Sequence, residues 1–171
     1  MFASYSTTCR RLHGLAEVVL AGPRYVAGGS MRLRADHDGI TTWDDPPIRL
    51  SRGRLERDDA RVEVAGRTFA EAAAAVVEHA LDLGNSALRL FAPDLEPVLW
   101  PEHFDIAITR ADVNYGVSPG DGHPYAYVGP HGARRGSFWN APFGAARPVT
   151  EFADAEALAG FFREGARQAD R

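Results

Sequence analysis

The chain has 171 residues, enough for a single domain with a real core. All 19 basic residues are arginine, which excludes Schiff-base chemistry, covalent pyridoxal phosphate and a P-loop phosphate grip, since each needs a lysine amine. One cysteine, Cys9, excludes an intrachain disulfide and any cysteine-only metal site, and the net charge of −4 gives no basic excess for a nucleic-acid partner.

The N-terminal residues MFASYSTTCRRLHGL lack a basic stretch followed by an apolar one, so no secretory signal is expected and the cytoplasm is the expected location. Leu12, Leu15, Ala16, Val19 and Leu20 recur at helical spacing. Thr7 or Thr8 is the expected cap of this helix, and Gly22-Pro23 its expected stop. Met31, Leu33 and Ala35 then alternate with Arg32, Arg34 and Asp36, the period of a half-buried strand. His37-Asp38-Gly39 suits a tight turn into a second strand at Ile40–Trp43. Residues 48–50, 54–57 and 61–64 read as further short strands of a meander. Arginines 49, 52, 54, 57 and 61 are interleaved with Glu56, Asp58, Asp59 and Glu63. That is a solvated, salt-bridged face rather than a phosphate track, so nucleic acid is not an expected partner.

Thr68-Phe69-Ala70-Glu71 forms a capping box in which hydroxyl and carboxylate satisfy reciprocal orphan amides. The alanine-rich run behind it predicts a helix over 69–83 ended by Gly84, with Phe69, Ala73, Val76, Val77 and Ala80 as its apolar stripe. Residues 88–91 read as a strand. Residues 103–110 read as another, with Phe104, Ile106 and Ile108 on one face and His103, Asp105, Ala107 and Thr109 on the other. A loop is expected over 111–122, a strand over 123–128, another over 137–140, and a last helix from about Asp154 to Arg167 that buries Leu158, Phe161 and Phe162. No apolar run is long enough to span a bilayer, and no membrane association is expected. The expected fold is a single α+β domain over residues 1–171, a mostly antiparallel sheet packed against two or three helices.

Residues 99–146 concentrate the chemistry. They hold three of the six histidines, two of the three tryptophans and three of the five tyrosines. Proton-transfer and metal-binding groups interleaved with aromatics are how ligand pockets are lined. Four segments carry a resemblance: LWPEHFD at 99–105, YGVSPGD at 115–121, PYAYVGP at 124–130 and FWNAPFGA at 138–145. They resemble a group of uncharacterised, mainly actinobacterial proteins that share these motifs. More distantly, the order of elements looks like a domain-of-unknown-function family spread through bacteria. The resemblance implies a shared fold and carries no activity.

The leading functional reading is a small-molecule enzyme in which His103, supported by Asp105, does acid–base work, with His123 and Tyr125 joining from the next strand. A lyase, isomerase, cyclase or hydrolase fits this set. Trp100, Glu102, Tyr115, Tyr127, Trp139 and Asn140 are the expected ligand-binding residues. The bland reading makes His103 and Asp105 exposed polar residues and puts about half of the aromatics in the core. A metal site from His103, Asp105, His123 and His131 matches no established spacing. Ser118 is followed by Pro119, which has no amide for an oxyanion hole, so a turn is the better reading there. Two alternatives to an enzyme remain open: a non-catalytic small-ligand-binding module, and an interaction protein that forms a homodimer through its aromatic surface.

Overall fold

A computed structural model describes residues 2–52, 54–57, 60–63 and 71–170. The capping box at 68–70, with Phe69 of the apolar stripe, and the end of the fifth strand at Val64 lie outside the described residues. The fold is α+β. Helix α1 (Phe2–Leu15) runs through a π-helical turn at Ala16–Ala21 into α2 (Gly22–Gly28). A meander of five short strands follows: β1 (Arg34–Asp36), β2 (Gly39–Thr41), β3 (Arg49–Ser51), β4 (Arg54–Arg57) and β5 (Ala60–Glu63). Helix α3 (Glu71–Phe91) leads to a second meander, β6 (Val98–Trp100), β7 (Asp105–Arg110), β8 (Val113–Ser118), β9 (Tyr125–Pro130) and β10 (Ala145–Pro148), and α4 (Ala155–Ala169) closes the chain.

Both sheets are antiparallel, with strands in sequence order. They meet edge to edge through a reciprocal backbone pair between Leu33 and Leu99, at 3.0 and 3.1 Å. One contiguous core draws on α1, both sheets, α3 and α4. The inner face of the second sheet carries Leu99, Ile106, Ile108, Val113, Tyr115, Val117, Ala126, Val128 and Ala145, all buried. The helices cover this face. Tyr115 packs at 4.7 Å from Phe91 of α3 and 6.0 Å from Phe162 of α4. Helix α4 starts where Asp154 accepts the Ala157 amide at 2.8 Å, and it buries Leu158, Phe161 and Phe162 as expected.

Several boundaries depart from the sequence reading. Gly22-Pro23 does not stop the first helix. Pro23 has no amide to donate, and the chain instead widens by one residue per turn just before it, with the Gly22 amide bonding to the Glu17 carbonyl. The stop comes at Gly29, left-handed at φ 73°, whose amide caps the Tyr25 carbonyl. Thr7 and Thr8 lie inside the helix and not at its start. Helix α3 likewise passes through Gly84 and takes in 88–91, which form no strand. Val76 is 45% exposed and leaves the stripe, while Ala74, Leu81, Ala87 and Leu88 join Ala73, Val77 and Ala80 in it. Half of the loop expected over 111–122 is strand β8, entered by a two-residue hairpin turn in which Ala111 and Asp112 both have positive φ. The strand expected from His123 starts at Tyr125, after Pro124. Residues 137–140 form no strand; the last strand is β10, an edge strand ending in Pro148.

Gly84 has a packing role rather than a stop role. A Cβ there would meet Val117 Cβ at 2.8 Å and Ile106 Cγ2 at 2.9 Å, both on stiff β-branched side chains of the sheet. Gly84→Ala is therefore expected to cost about 1–3 kcal/mol by overpacking, despite the better helix propensity of alanine. Gly160→Ala in α4, where a Cβ meets open space, is expected to add about 0.5–1 kcal/mol. Urea unfolding of the two variants reads the contrast. Equal effects would mean that α3 does not rest on β7 and β8 at Gly84.

Candidate functional site

The outer face of the second sheet carries the residues that alternate with the core. On β7 this is Asp105, on β8 Asn114, Gly116 and Ser118, and on β9 Tyr125, Tyr127 and Gly129. Register sets their spacing. Gly116 pairs with both Ala107 and Tyr127, and Ser118 pairs with Tyr125. A Cβ on Gly116 would lie 2.7 Å from the Tyr127 hydroxyl oxygen, so the missing side chain is what lets the Tyr127 ring lie across β8. The ring then reaches β7, and its hydroxyl donates a short hydrogen bond to Asp105 Oδ2. Asp105 Oδ1 is buried with no hydrogen-bond partner among the described residues.

This pair forms the floor of a cleft of about 500 Å³, lined also by His103, Ser118, Tyr125, His131 and Phe143. The rings of Tyr125, Tyr127 and Phe143 cluster with centroids 6.2–6.4 Å apart. At the far end Asn114 accepts from Thr109 Oγ1 at 2.7 Å and contacts His131 Nε2 at 3.4 Å. A second cavity of about 400 Å³ continues the cleft past His103, Ser118 and Tyr125 towards α1. Helix α1 is tied to this region by Tyr5, whose hydroxyl donates to the Pro119 carbonyl at 2.7 Å, and by the Cys9 thiol, which donates to the Gly120 carbonyl at 3.4 Å. Burial and, secondarily, the Asp121 charge push the Cys9 thiol up to about 11, so it stays protonated.

Burial raises the Asp105 carboxyl above the usual carboxylate range, and the Glu102 charge adds to this. The Tyr127 hydrogen bond and the His103 charge oppose it without cancelling it. Burial, then the Asp105 charge, also holds the Tyr127 phenol far up, so it remains a donor. A carboxyl that resists ionisation and lines a cleft is a candidate proton-transfer group.

The expected site residues divide as follows. His103, Asp105, Tyr125 and Tyr127 line one cleft. Asp105 bonds to Tyr127 rather than to His103, which is exposed in the turn before β7. His123 is exposed ahead of Pro124 and does not line the cleft. Glu102 acts on it only through its charge. Trp100 pairs in register with Asp105 but lines a separate cavity with Arg32 and Glu96. Tyr115 belongs to the core on the opposite face. Trp139 lines a neighbouring cavity beneath residues 130–144. Asn140 is a clamp: its side chain accepts from the Ala146 amide at 2.9 Å and donates to the Ala146 carbonyl at 3.0 Å. Ser118 accepts from the Gly120 amide at 3.2 Å, consistent with a turn role. The sequence reading did not single out Asn114 and Gly116, and Phe143 stands in it only among the aromatics able to line a pocket or the core. The first two alternate with core residues on β8, a pattern visible once 113–118 is read as a strand.

His103, Asp105, His123 and His131 do not converge as metal ligands. Among the described residues the converging group is Asp36, His37 and Asp38, in the turn before β2. There Asp36 caps the Asp38 amide at 2.9 Å and Asp38 lies 3.7 Å from Arg49. Among the described residues no helix is long and apolar enough to cross a membrane. No family model, curated protein or solved structure matches the chain.

The raised Asp105 carboxyl has a signature in stability. Below about pH 4 it is protonated in both folded and unfolded chains. Between that range and its raised folded value, the folded protein holds a proton that the unfolded chain has released. Stability therefore falls as pH rises through this window. Asp105→Asn removes the titration, so the melting temperature of the variant minus that of the parent should increase from pH 4 upwards. Glu78, also raised by burial, is common to both proteins and cancels in the difference. A difference that does not change with pH would mean that Asp105 titrates normally.

Proposed function

We propose that the cleft is the active site of a cytoplasmic enzyme that moves protons on a small organic molecule. The observation that carries this reading is the Asp105 carboxyl: desolvated, held through one oxygen by Tyr127, unpartnered at the other, and set below an aromatic-lined space. Burying such a group without a partner for each oxygen costs about 1–3 kcal/mol. Proteins retain costs of that kind at functional sites. In this reading Asp105 is the proton donor and acceptor, Tyr127 positions it, and exposed His103 is a second proton-transfer group at the rim. Tyr125 and Phe143 supply the apolar walls. Reactions that take a proton from one position and return it at another, or that eliminate across a bond, match this equipment.

The second reading is a ligand-binding module. The tilted cluster of Tyr125, Tyr127 and Phe143 favours it, because three rings around one space bind planar molecules without any chemistry.

One experiment separates the two. Small molecules are screened against the full chain by amide chemical shifts, and those that perturb residues 103–105 and 125–131 are incubated with the protein in deuterium oxide. The expected result is conversion of a bound molecule, or deuterium entering it at carbon. Asp105→Asn should slow that step by at least about 100-fold while binding persists. Ligands that bind the cleft and neither exchange nor convert would overturn the enzyme in favour of the binding module.

A further inference from the structure

The cavity between the cleft and α1 has equipment that the proton-transfer reading does not use. Arg10 lines it, and its guanidinium makes no hydrogen bond or ion pair among the described residues. His13, one helical turn on, also lines it. Its ring stacks on Phe104 with centroids 5.1 Å apart and planes 5° from parallel, and its Nε2 is buried with no hydrogen-bond partner. Ser118 stands where the two cavities join; its Oγ already accepts from the Gly120 amide, which leaves its own proton to donate. Arg10, His13 and Ser118 thus border one space, and neither His13 Nε2 nor the Ser118 hydroxyl proton has a partner among the described residues. A buried imidazole nitrogen without a partner is costly, and a ligand acceptor would remove that cost.

We infer that this cavity binds the carboxylate of the molecule on which the cleft acts, so that the substrate is a small monocarboxylic acid with a planar apolar body. The inference rests on the active-site reading above. Arg10 supplies the charge, and His13 Nε2 and the Ser118 hydroxyl supply directed hydrogen bonds. The planar body then extends past Asp105 to Tyr125 and Phe143. Cavities of about 400 and 500 Å³ sharing His103, Ser118 and Tyr125 hold both parts at once. Charge selects the monoanion. Asp121 lines the Arg10 cavity as well, so among the described residues its lining holds one fixed positive and one fixed negative charge, and a dianionic phosphate would meet no second fixed cation there.

The test compares phenylacetate with phenylacetamide, which have the same shape and differ in charge, by amide-shift titration of the full chain. Phenylacetate is expected to bind at least about tenfold more tightly. Arg10→Gln, at an exposed position, should abolish the preference by weakening phenylacetate far more than phenylacetamide, and His13→Gln should reduce it. Thermal melting confirms that both variants are folded. Equal affinity for the two probes, with shifts in the cleft, would overturn the carboxylate subsite alone. A preference that survives both substitutions would overturn its assignment to Arg10 and His13. Phenyl phosphate binding more tightly than phenylacetate would overturn the choice of a monoanion. Shifts from neither probe in the cleft would overturn this inference, whereas deuterium exchange into any other bound molecule would still uphold the active-site reading.

Discussion

Helix α3 can lie on the second sheet only because Gly84 presents no side chain to Val117 and Ile106. That contact decides which face of β7 and β8 is covered. Strand side chains alternate, so the choice propagates without further specification. Ile106, Ile108, Tyr115 and Val117 turn inward, and Asp105, Asn114, Gly116 and Ser118 must turn outward. Helix α4 repeats the device one strand over, where Gly165 sits against Val128 and leaves Tyr125 and Tyr127 on the outer face. The polar cleft is thus the obligatory reverse side of the apolar core.

The outer face is shaped by a second missing side chain. With any larger residue at 116, the Tyr127 ring would be displaced from β8 and its hydroxyl would lose Asp105. The pair is consequently a relation among three strands. Asp105 is at the first residue of β7, Gly116 leaves the gap on β8, and Tyr127 bridges from β9. Desolvation of the carboxyl follows from this roofing by the phenol and not from deep burial in the core. The group stays close to solvent-accessible space while its charged form is disfavoured, which is the condition a proton-transfer group needs.

Much of the inner face was legible in the sequence, and for a simple reason. Phe104, Ile106 and Ile108 alternate without interruption, and Leu158, Phe161 and Phe162 recur at helical spacing. The departures share a cause: residues usually read as breakers or loop formers were overruled by tertiary contact. Gly84 is surrounded by helix formers and kept for packing. Gly22-Pro23 is carried through by a widened turn. Ala111-Asp112 closes a hairpin that asparagine and glycine would have advertised. At the site, alternation puts Asp105 and Tyr125 on one face, but β8 lies between their strands, which the sequence reading made neighbours. It could not identify the carboxyl's partner. Neighbours along β7 suggested His103, but the turn at Phe104, with φ 51°, leaves His103 exposed, and the bond goes to Tyr127. Tyr115 faces the core because 113–118 is a strand; a loop over this segment offers no alternation from which to assign its face.

The participation of α1 was the least legible feature, because it depends on contacts more than 100 residues apart in sequence. Tyr5 and Cys9 bind the carbonyls of Pro119 and Gly120, at separations of 114 and 111 residues. Those carbonyls belong to the turn that leaves β8 just after Ser118. Proline at 119 and left-handed glycine at 120 bend the chain so that both carbonyls face the helix. The helix face that reads the turn also carries His13, whose ring rests on Phe104 next to His103. One docking event therefore walls the second cavity and brings an arginine and an imidazole to the end of the cleft. Displacing the turn would shift Ser118 and loosen α1 together, so the position of the outer-face residues and the seating of the N-terminal helix are a single structural variable.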